Sequence, residues 1–344
     1  MRPTRPLALT LAAALLAVPG TAVASGHGGQ HHDHGHADRS TFAVIGDIPY
    51  GADQLAAFPG WIDQINAADP DLTFHVGDIK NGSTRCDDAY YRVIRADFDR
   101  FENPLVYTPG DNEWTDCHRA NNGGHDPLER LAFDRSVFFD RPGRTMGQHP
   151  ATVEAQSRSG FPENVQLRRQ RIDFAMLHVV GSNNDLQPWT GIGRTEPTPA
   201  QIAEERARMR NVLGVVHDSF STARRQHDRA VVLLFQADMF DPTYTPTPND
   251  ISAFRPLVQA LVEESSHFRG PVYLVNGDSH AYNVDQPLAS GSSWLSTYDV
   301  RGAADNLTRI TVDGSSNNRD WLRFTVNGHR SADVLSWEQV PYTG

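Results

Sequence analysis

The chain has 344 residues, 39% hydrophobic and 21% charged, enough for one large domain or two small ones with an ordinary core. Its 42 acidic residues outnumber 31 Lys and Arg, for a formal charge of −11. That balance argues against nucleic acid as a main partner, because phosphate backbones reward clustered cations.

The first residues read as a targeting signal. Arg2 and Arg5 precede the apolar run Leu7–Val18. This run falls short of the ~20 residues a membrane span needs, and Ala22-Val23-Ala24 fits a small-residue cleavage site. Residues 1–24 are therefore expected to be removed, leaving a soluble protein that is secreted or periplasmic. Residues 25–40 follow as a His-rich linker, with His27, His31, His32, His34 and His36 among glycines. Such a segment cannot build a core. It is either a solvated linker or a weak trap for transition metals. Export also makes the cysteines readable: Cys86 and Cys117 are the two in the chain, and an oxidising compartment predicts a disulfide between them.

The domain is expected over residues 41–344. Phe42–Ile45 is a short apolar run ended by Gly46 and Asp47. Buried parallel strands look like this, and ligands in open α/β sheets sit just beyond their carboxyl ends. The pattern recurs: Leu72–Val76 leads to Gly77-Asp78, Leu105–Tyr107 to Gly110-Asp111-Asn112-Glu113, and Val272–Val275 to Gly277-Asp278-Ser279-His280. Between the first pair, Leu55, Phe58, Ile62 and Ile65 mark one helix face, with Pro59 predicting a kink or restart. Between the next pair, Tyr91, Ile94, Phe98 and Phe101 mark another.

Residues 112–164 read as a long surface excursion with one short helix near Leu128–Phe139. Asp173–Val180 is a further strand, ending in Gly181-Ser-Asn-Asn-Asp185. Thr198-Pro199 opens a long helix. Ala230–Phe235 is a strand followed by Gln236 and Asp238, and Ile251–Ser266 an amphipathic helix. Asp238 is expected to cap the next turn. The tail Leu307–Trp337, with its Asp-Gly and Asn-Gly turns, predicts antiparallel strands closing a second sheet.

Four carboxylates (Asp47, Asp78, Asp111, Asp278) and His280 would converge if these strands are neighbours. Crowded bare carboxylates repel and take up protons, whereas bound cations remove the conflict. Two metals a few Å apart can share a carboxylate, activate a water and clamp a phosphoryl oxygen. Tyr50, Trp114 and Trp189 lie beside these strand ends, as pocket walls or as plain packing.

The order of these motifs resembles the calcineurin-like metallophosphoesterase superfamily, to which purple acid phosphatases belong. Its pattern is D-x-H, G-D-x-x-D, G-N-H-D/E, a lone His and G-H-x-H. The resemblance spans residues 41–285 and implies an α/β fold, a four-layer αββα sandwich with mixed sheets. It also implies hydrolysis of small-molecule phosphate mono- or diesters by attack of a metal-bound hydroxide. By that likeness Asp78 would bridge two metals. Asp47 and His280 would hold one; Asp111, Asp278 and Gln236 the other. Asn112 would orient the phosphate.

The departures are equally specific: Pro49, Asn112, Gln236 and Asp278 stand where the family has His, Asp111 replaces the ligand Asn, and Lys80–Asn81 departs from G-D-x-x-D. Asn112 cannot be a general acid, so poor leaving groups should react slowly unless His118, Glu113 or Lys80 compensates. A catalytically weak or inactive metal- or ligand-binding module on the same fold is the alternative, and metal handling by the His-rich leader a third.

An oxygen-rich donor set favours Mn²⁺ or Mg²⁺ over Zn²⁺, with Fe and Ca²⁺ also open. Mn²⁺ or Mg²⁺ is expected to activate the purified protein more than Zn²⁺. Metal analysis that finds tight stoichiometric Zn²⁺ contradicts this.

Overall fold

The computed structural model describes residues 40–331 and 333–343; the expected signal sequence and the His-rich stretch Gly26–Asp38 lie outside the described residues. Twelve strands are assigned within them: β1 (Thr41–Ile45), β2 (Leu72–His75), β3 (Leu105–Tyr107), β4 (Glu154–Gln156), β5 (Phe161–Arg169), β6 (Ile172–Met176), β7 (Ala230–Leu234), β8 (Val272–Asn276), β9 (Asn283–Asp285), β10 (Leu307–Thr311), β11 (Asp320–Val326) and β12 (Leu335–Pro341). They form two mixed sheets. One runs β12-β11-β1-β2-β3, the other β4-β5-β6-β7-β8-β10-β9.

The two-residue period of a strand sorts its side chains between layers. In β1, Phe42 and Val44 point to the facing sheet, while Ala43 and Ile45 point outward to the helices. Phe42 meets Phe174 of β6 at 5.2 Å between ring centroids, and Phe74 of β2 stacks on Phe174 at 5.5 Å. Val232, Val275 and Ile310 complete this inter-sheet core. Outside the first sheet lie α1 (Gly51–Ala67) and α2 (Asp88–Phe98), burying Phe58, Ile62, Ile65, Tyr91, Ile94 and Phe98. Outside the second lie the long helix Pro199–Gln226 and the helix Arg255–Ser266. The fold is thus a four-layer αββα sandwich.

Local chemistry accounts for most element ends. The Thr198 hydroxyl accepts the Gln201 N–H while the Gln201 side chain returns to the Thr198 N–H, a capping box behind Pro199. Asp126 caps α3 (Pro127–Phe138) through Leu128 and Glu129 N–H. Cys86 and Cys117 are bonded, with Cα atoms 5.8 Å apart, tying the loop after β2 to the loop after β3.

Several expectations are corrected. Helix α1 runs unbroken through Pro59, held by burial of Phe58 and Ile62 on either side. The helix after β2 stops at Phe98; Phe101 is buried beyond it. Residues 112–164 lie largely at the surface and carry the expected short helix, but they hold more structure than that: Trp114–His118 are buried, and β4 and the start of β5 fall within the segment. The helix predicted from Ile251 begins at Arg255, after a short turn at Pro248–Ile251. The tail divides between sheets. β10 runs parallel to β8 in the second sheet, whereas β11 pairs antiparallel with β1 and, with β12, completes the first. An apolar alternation reports which face a strand buries, and it says nothing about which sheet supplies its partner.

Removing the disulfide with the pair Cys86→Ser and Cys117→Ser, which close a loop of sequence separation 31, is expected to cost about 2–4 kcal/mol. Chemical denaturation under oxidising conditions reads this; unchanged stability overturns it.

Candidate metal centre

The strand ends deliver their carboxylates from two sheets to one place. Asp47, Asp78 and Asp111 follow β1, β2 and β3, which are neighbours. Asp278 and His280 follow β8 of the facing sheet. Ligand atoms of Asp47, Asp78 and His280 all lie within 4.8 Å of one another, as do those of Asp78, Asp111 and Asp278. Asp78 is common to both groups.

The backbone is bent to make this meeting. Asp47 (φ 54°), Asp78 (φ 59°), Asp278 (φ 74°) and His280 (φ 58°) all occupy the left-handed region. Such conformations cost on the order of 1–3 kcal/mol each and persist where the surroundings over-determine them. Here the determinants are explicit. The Asp47 N–H donates to Gly77 O at 3.0 Å. The Asp278 N–H donates to both oxygens of Asp47 at 3.1 Å. The Asn112 N–H donates to Asp78 Oδ1 at 3.1 Å, and the Asp238 N–H to Asp278 Oδ2 at 3.1 Å. Glycines leave room for the carboxylates. A methyl on Gly110 would collide with Asp78, and one on Gly277 with Asp47. On Gly181 it would lie 2.7 Å from Asp111 Oδ2 and 3.0 Å from Asp278. At Gly110 and Gly277 the acid side chain of another strand end occupies the space a side chain would need, whereas Gly46 is hemmed in by Val76 and Gly77 by Gln236.

Electrostatics follow from the crowding. Burial pushes the Asp78 carboxyl well above the usual range, and Asp111, Glu113, Asp47 and Asp278 add to it. Asp278 is raised by burial, then by Asp111 and Asp47. Asp111 is raised by burial against the hydroxyl of Ser182. Burial pulls the His280 imidazole down, but its hydrogen bond and charge contact with Asp47 outweigh that and raise it. A glycine-lined cradle of mutually raised carboxylates with one imidazole fits a cation site, since positive charge would reverse each of these penalties. The donors suit hard divalent ions: oxygens throughout, with one nitrogen.

Two expected site residues have other partners. The Gln236 amide oxygen accepts the Gly181 N–H at 2.6 Å, so its nitrogen faces Asp111 Oδ1 at 3.3 Å and Asp78 Oδ2 at 3.4 Å. This orientation steadies carboxylates and offers a cation no oxygen. The Asn112 amide nitrogen points to Asp78 Oδ2 at 2.7 Å and the Tyr50 hydroxyl at 2.9 Å, which uses both its hydrogens. Asn112 therefore positions Asp78. Asp238 caps its turn through the Phe240 N–H at 3.0 Å and is paired with Arg309.

The candidate proton donors are likewise tied down. Glu113, raised to about 7 chiefly by burial, accepts the N–H groups of Ile79 at 2.7 Å and Gly110 at 3.1 Å, joining the two loops. Lys80 is lowered to about 8 by burial and bonds Asn122 and the Asn81 carbonyl at 3.1 Å each. Burial and Arg119 lower His118 to about 4, and its Nδ1 accepts the Gly191 N–H.

Among the aromatics, Trp114 and Trp189 are buried packing, the latter bonding Asp185 at 3.0 Å. Tyr50 reaches the carboxylates. Ser182 is a site neighbour that motif reading passed over: its hydroxyl donates to Asp111 Oδ2 at 2.8 Å. It opens a left-handed turn, Ser182–Asp185, whose polar groups are clamped by buried Arg208 and Trp189 and by Ser252. The available signal was Gly181 directly after the apolar run that ends at Val180, the same punctuation as at the four acidic motifs. Beyond Ser182, a cleft of about 620 Å³ is lined by His118, Arg119, Asn183 and Glu196 among others.

Residues 40–152 match the family profile of calcineurin-like phosphoesterases. The resemblance read from the motifs is therefore borne out over this stretch, which carries Asp47, Asp78 and Asp111. No curated protein matches the chain by sequence. Solved structures of similar shape include a dimetal phosphatase from Danio rerio (11% identity, TM-score 0.48, covering 87% of this chain and 95% of that one). Another is GAP50 of Plasmodium, described as the anchor in the inner membrane complex (8%, 0.46, 89% and 90%). A third is a purple acid phosphatase from yellow lupin seeds (12%, 0.44, 87% and 51%). Among the described residues, no helix is long and apolar enough to cross a membrane.

The raised carboxyls carry a sign for pH. A group whose folded pKa exceeds its unfolded value of about 4 stabilises below that value and loses the contribution as pH rises. The metal-free protein is therefore destabilised by this cluster with rising pH, and a cation offsets the loss. The rise in melting temperature produced by Mn²⁺ over EDTA is expected to grow from about pH 5 to about pH 8. A gain that is constant, or largest at low pH, contradicts the arrangement.

Proposed function

We propose that this chain is an exported metallophosphoesterase that hydrolyses small-molecule phosphate mono- or diesters. Its parts would be a signal peptide over residues 1–24, a His-rich linker over 25–40 and one catalytic domain over 41–344. The single observation that carries the reading is that Asp78 belongs to two groups of close ligand-type side chains at once. That is the arrangement a shared carboxylate needs. When bound, a pair of divalent cations supplies an activated water and positive charge for the phosphoryl oxygens.

The residues divide the work. Asp47 and His280 would hold one cation with Asp78, and Asp111 and Asp278 would hold the other with Asp78. Asn112 and Gln236 keep Asp78 and Asp111 aimed through their amide nitrogens. Ser182 steadies the far oxygen of Asp111. Arg119 pairs with Asp116 at 2.6 Å, remains 42% exposed, and lines the cleft beside Asn183, where it is available to a substrate's negative charge. Mn²⁺ or Mg²⁺ suits this donor set.

One observation favours the second reading, a module that binds metal with little turnover. Both amide hydrogens of Asn112 are engaged, and His118, at about 4, is neutral near pH 7. Neither of these two residues is thus poised to give a leaving group its proton. Esters with good leaving groups would still react, because they depart without protonation.

The test is metal analysis with a screen of p-nitrophenyl phosphate, bis-p-nitrophenyl phosphate and an alkyl phosphate. The Mn²⁺-loaded protein is expected to cleave at least one nitrophenyl ester far faster than the alkyl ester. Asp78→Ala is expected to lose more than ~100-fold of that rate, exceeding the usual loss for outer-shell residues. Turnover that survives Asp78→Ala detaches activity from this site. Metal-loaded wild-type protein that cleaves none of the three favours the binding module.

A further inference from the structure

The end of the molecule opposite the metal centre carries the reverse charge. Gly270 precedes β8 and Asp278 follows it, so the segments that enter the parallel strands β6, β7 and β8 lie away from the carboxylates. The hairpin between β5 and β6 brings Arg168, Arg169 and Arg171 to this pole. Arg229 stands before β7 and Arg269 before β8, and the long helix Pro199–Gln226 ends there with Arg224 and Arg225. Contacts join them into one patch. The Arg229 N–H donates to the Arg171 carbonyl at 2.7 Å, and the Arg171 guanidinium donates to the His227 carbonyl. Arg224, His227, His267 and Arg269 together line a cavity of about 390 Å³.

Most of this charge is left uncompensated. Arg168 is paired with Asp228, and Arg224 with Glu264 at 2.8 Å. The others are steadied by neutral acceptors: Arg229 by the carbonyls of Asn327 and Gly328 at 2.8 and 2.9 Å, Arg225 by the hydroxyls of Ser221 and Thr222. Among the described residues, Arg169, Arg171, Arg225, Arg229 and Arg269 make no ion pair with a carboxylate. Of the other acids nearby, Asp173 is buried, and Glu154, Glu263 and Asp333 are exposed. A surplus of positive charge therefore gathers here in a chain whose formal charge is −11. Cations at a helix C-terminus complement its dipole, which accounts for Arg224 and Arg225. It does not account for the hairpin, where Gln170 and Arg171 both take left-handed backbone (φ 51° and 59°) in a turn that ordinarily selects Asn-Gly.

We propose that this pole is a docking surface for an anionic phospholipid bilayer, the cavity at Arg224, His227, His267 and Arg269 receiving a headgroup phosphate and the surrounding guanidinium groups its neighbours. Arginine forks match phosphate oxygens in pairs. A bilayer meets the patch from one side, and screening over about 10 Å keeps the acidic remainder of the chain out of its reach. A long nucleic acid would instead run beyond the patch along acidic surface. Docked this way, the protein turns its metal centre toward solvent and soluble substrates. The proposal does not depend on what the metal centre does.

The test sediments the exported form, residues 25–344, with vesicles of phosphatidylcholine with and without phosphatidylglycerol. EDTA is present, so that no cation bridges protein to lipid. Wild type is expected to bind only the anionic vesicles at about 0.05 M salt and to be released at about 0.5 M, where screening shortens the reach of charge. The double variant Arg225→Glu with Arg269→Glu is expected to bind at least ~10-fold more weakly, since each cation near such a surface contributes several-fold. Arg85→Glu with Arg194→Glu makes the same change of charge in the loops after β2 and β6, and is expected to bind like wild type. Wild type that ignores anionic vesicles at low salt, binding that salt leaves unchanged, or a pole variant that binds like wild type overturns the proposal. Duplex DNA of arbitrary sequence that captures wild type more tightly than the vesicles, with loss in the same pole variant, assigns the patch to nucleic acid and overturns the lipid reading.

Discussion

Everything in this fold answers to the meeting of four carboxylates out of water. They repel across the seam between two sheets, and burial in this crowd raises the proton affinity of Asp78, Asp111 and Asp278. The chain nonetheless spends left-handed backbone at Asp47, Asp78 and Asp278 to hold them there. It places glycines 110, 181 and 277 where any side chain would push a carboxylate away. A fold that merely tolerated these acids would have let them turn to solvent. The architecture instead supports them with backbone N–H groups and with amides whose nitrogens, not oxygens, face inward.

This constraint explains the division of labour between the layers. The inter-sheet core of Phe42, Phe74, Phe174 and Val275 fixes how the two sheets face each other, and so fixes the distance between Asp278 and the three acids of the first sheet. The helices bury the outer faces and set where each strand ends. The disulfide and Glu113 then join the loops after β2 and β3, so that Asp78 and Asp111 keep their relation. The buried histidines behave as structural groups. His75, lowered to about 4 by burial, bonds the Ile48 carbonyl at 2.9 Å and accepts the Gly77 N–H at 3.2 Å.

Much of this was legible in the chain. The strands that end in Gly-Asp, the helix faces between them, the cap at Thr198 and the pairing of Cys86 with Cys117 all follow from local pattern and chemistry. What was not legible depended on distant partners. Pro59 reads as a break because the burial that holds α1 together comes from other elements. Strands β11 and β12 carry the alternation of any half-buried strand, and nothing in it says that β1 is their neighbour. Gln236 and Asn112 read as ligand and phosphate donor until their amides are seen to be engaged by Gly181, Asp78 and Tyr50. Tyr50 reads as a pocket wall or plain packing, since nothing beside a strand end announces its hydrogen bond to Asp78. Ser182 had the same punctuation as the acidic motifs but lacked a charge to draw notice.

The most direct measurement is anomalous diffraction from crystals soaked in Mn²⁺. The account predicts two peaks that share Asp78, one also within bonding distance of Asp47 and His280, the other of Asp111 and Asp278. A map with no peak at Asp78, or with manganese bound only at remote surface acids, would contradict it.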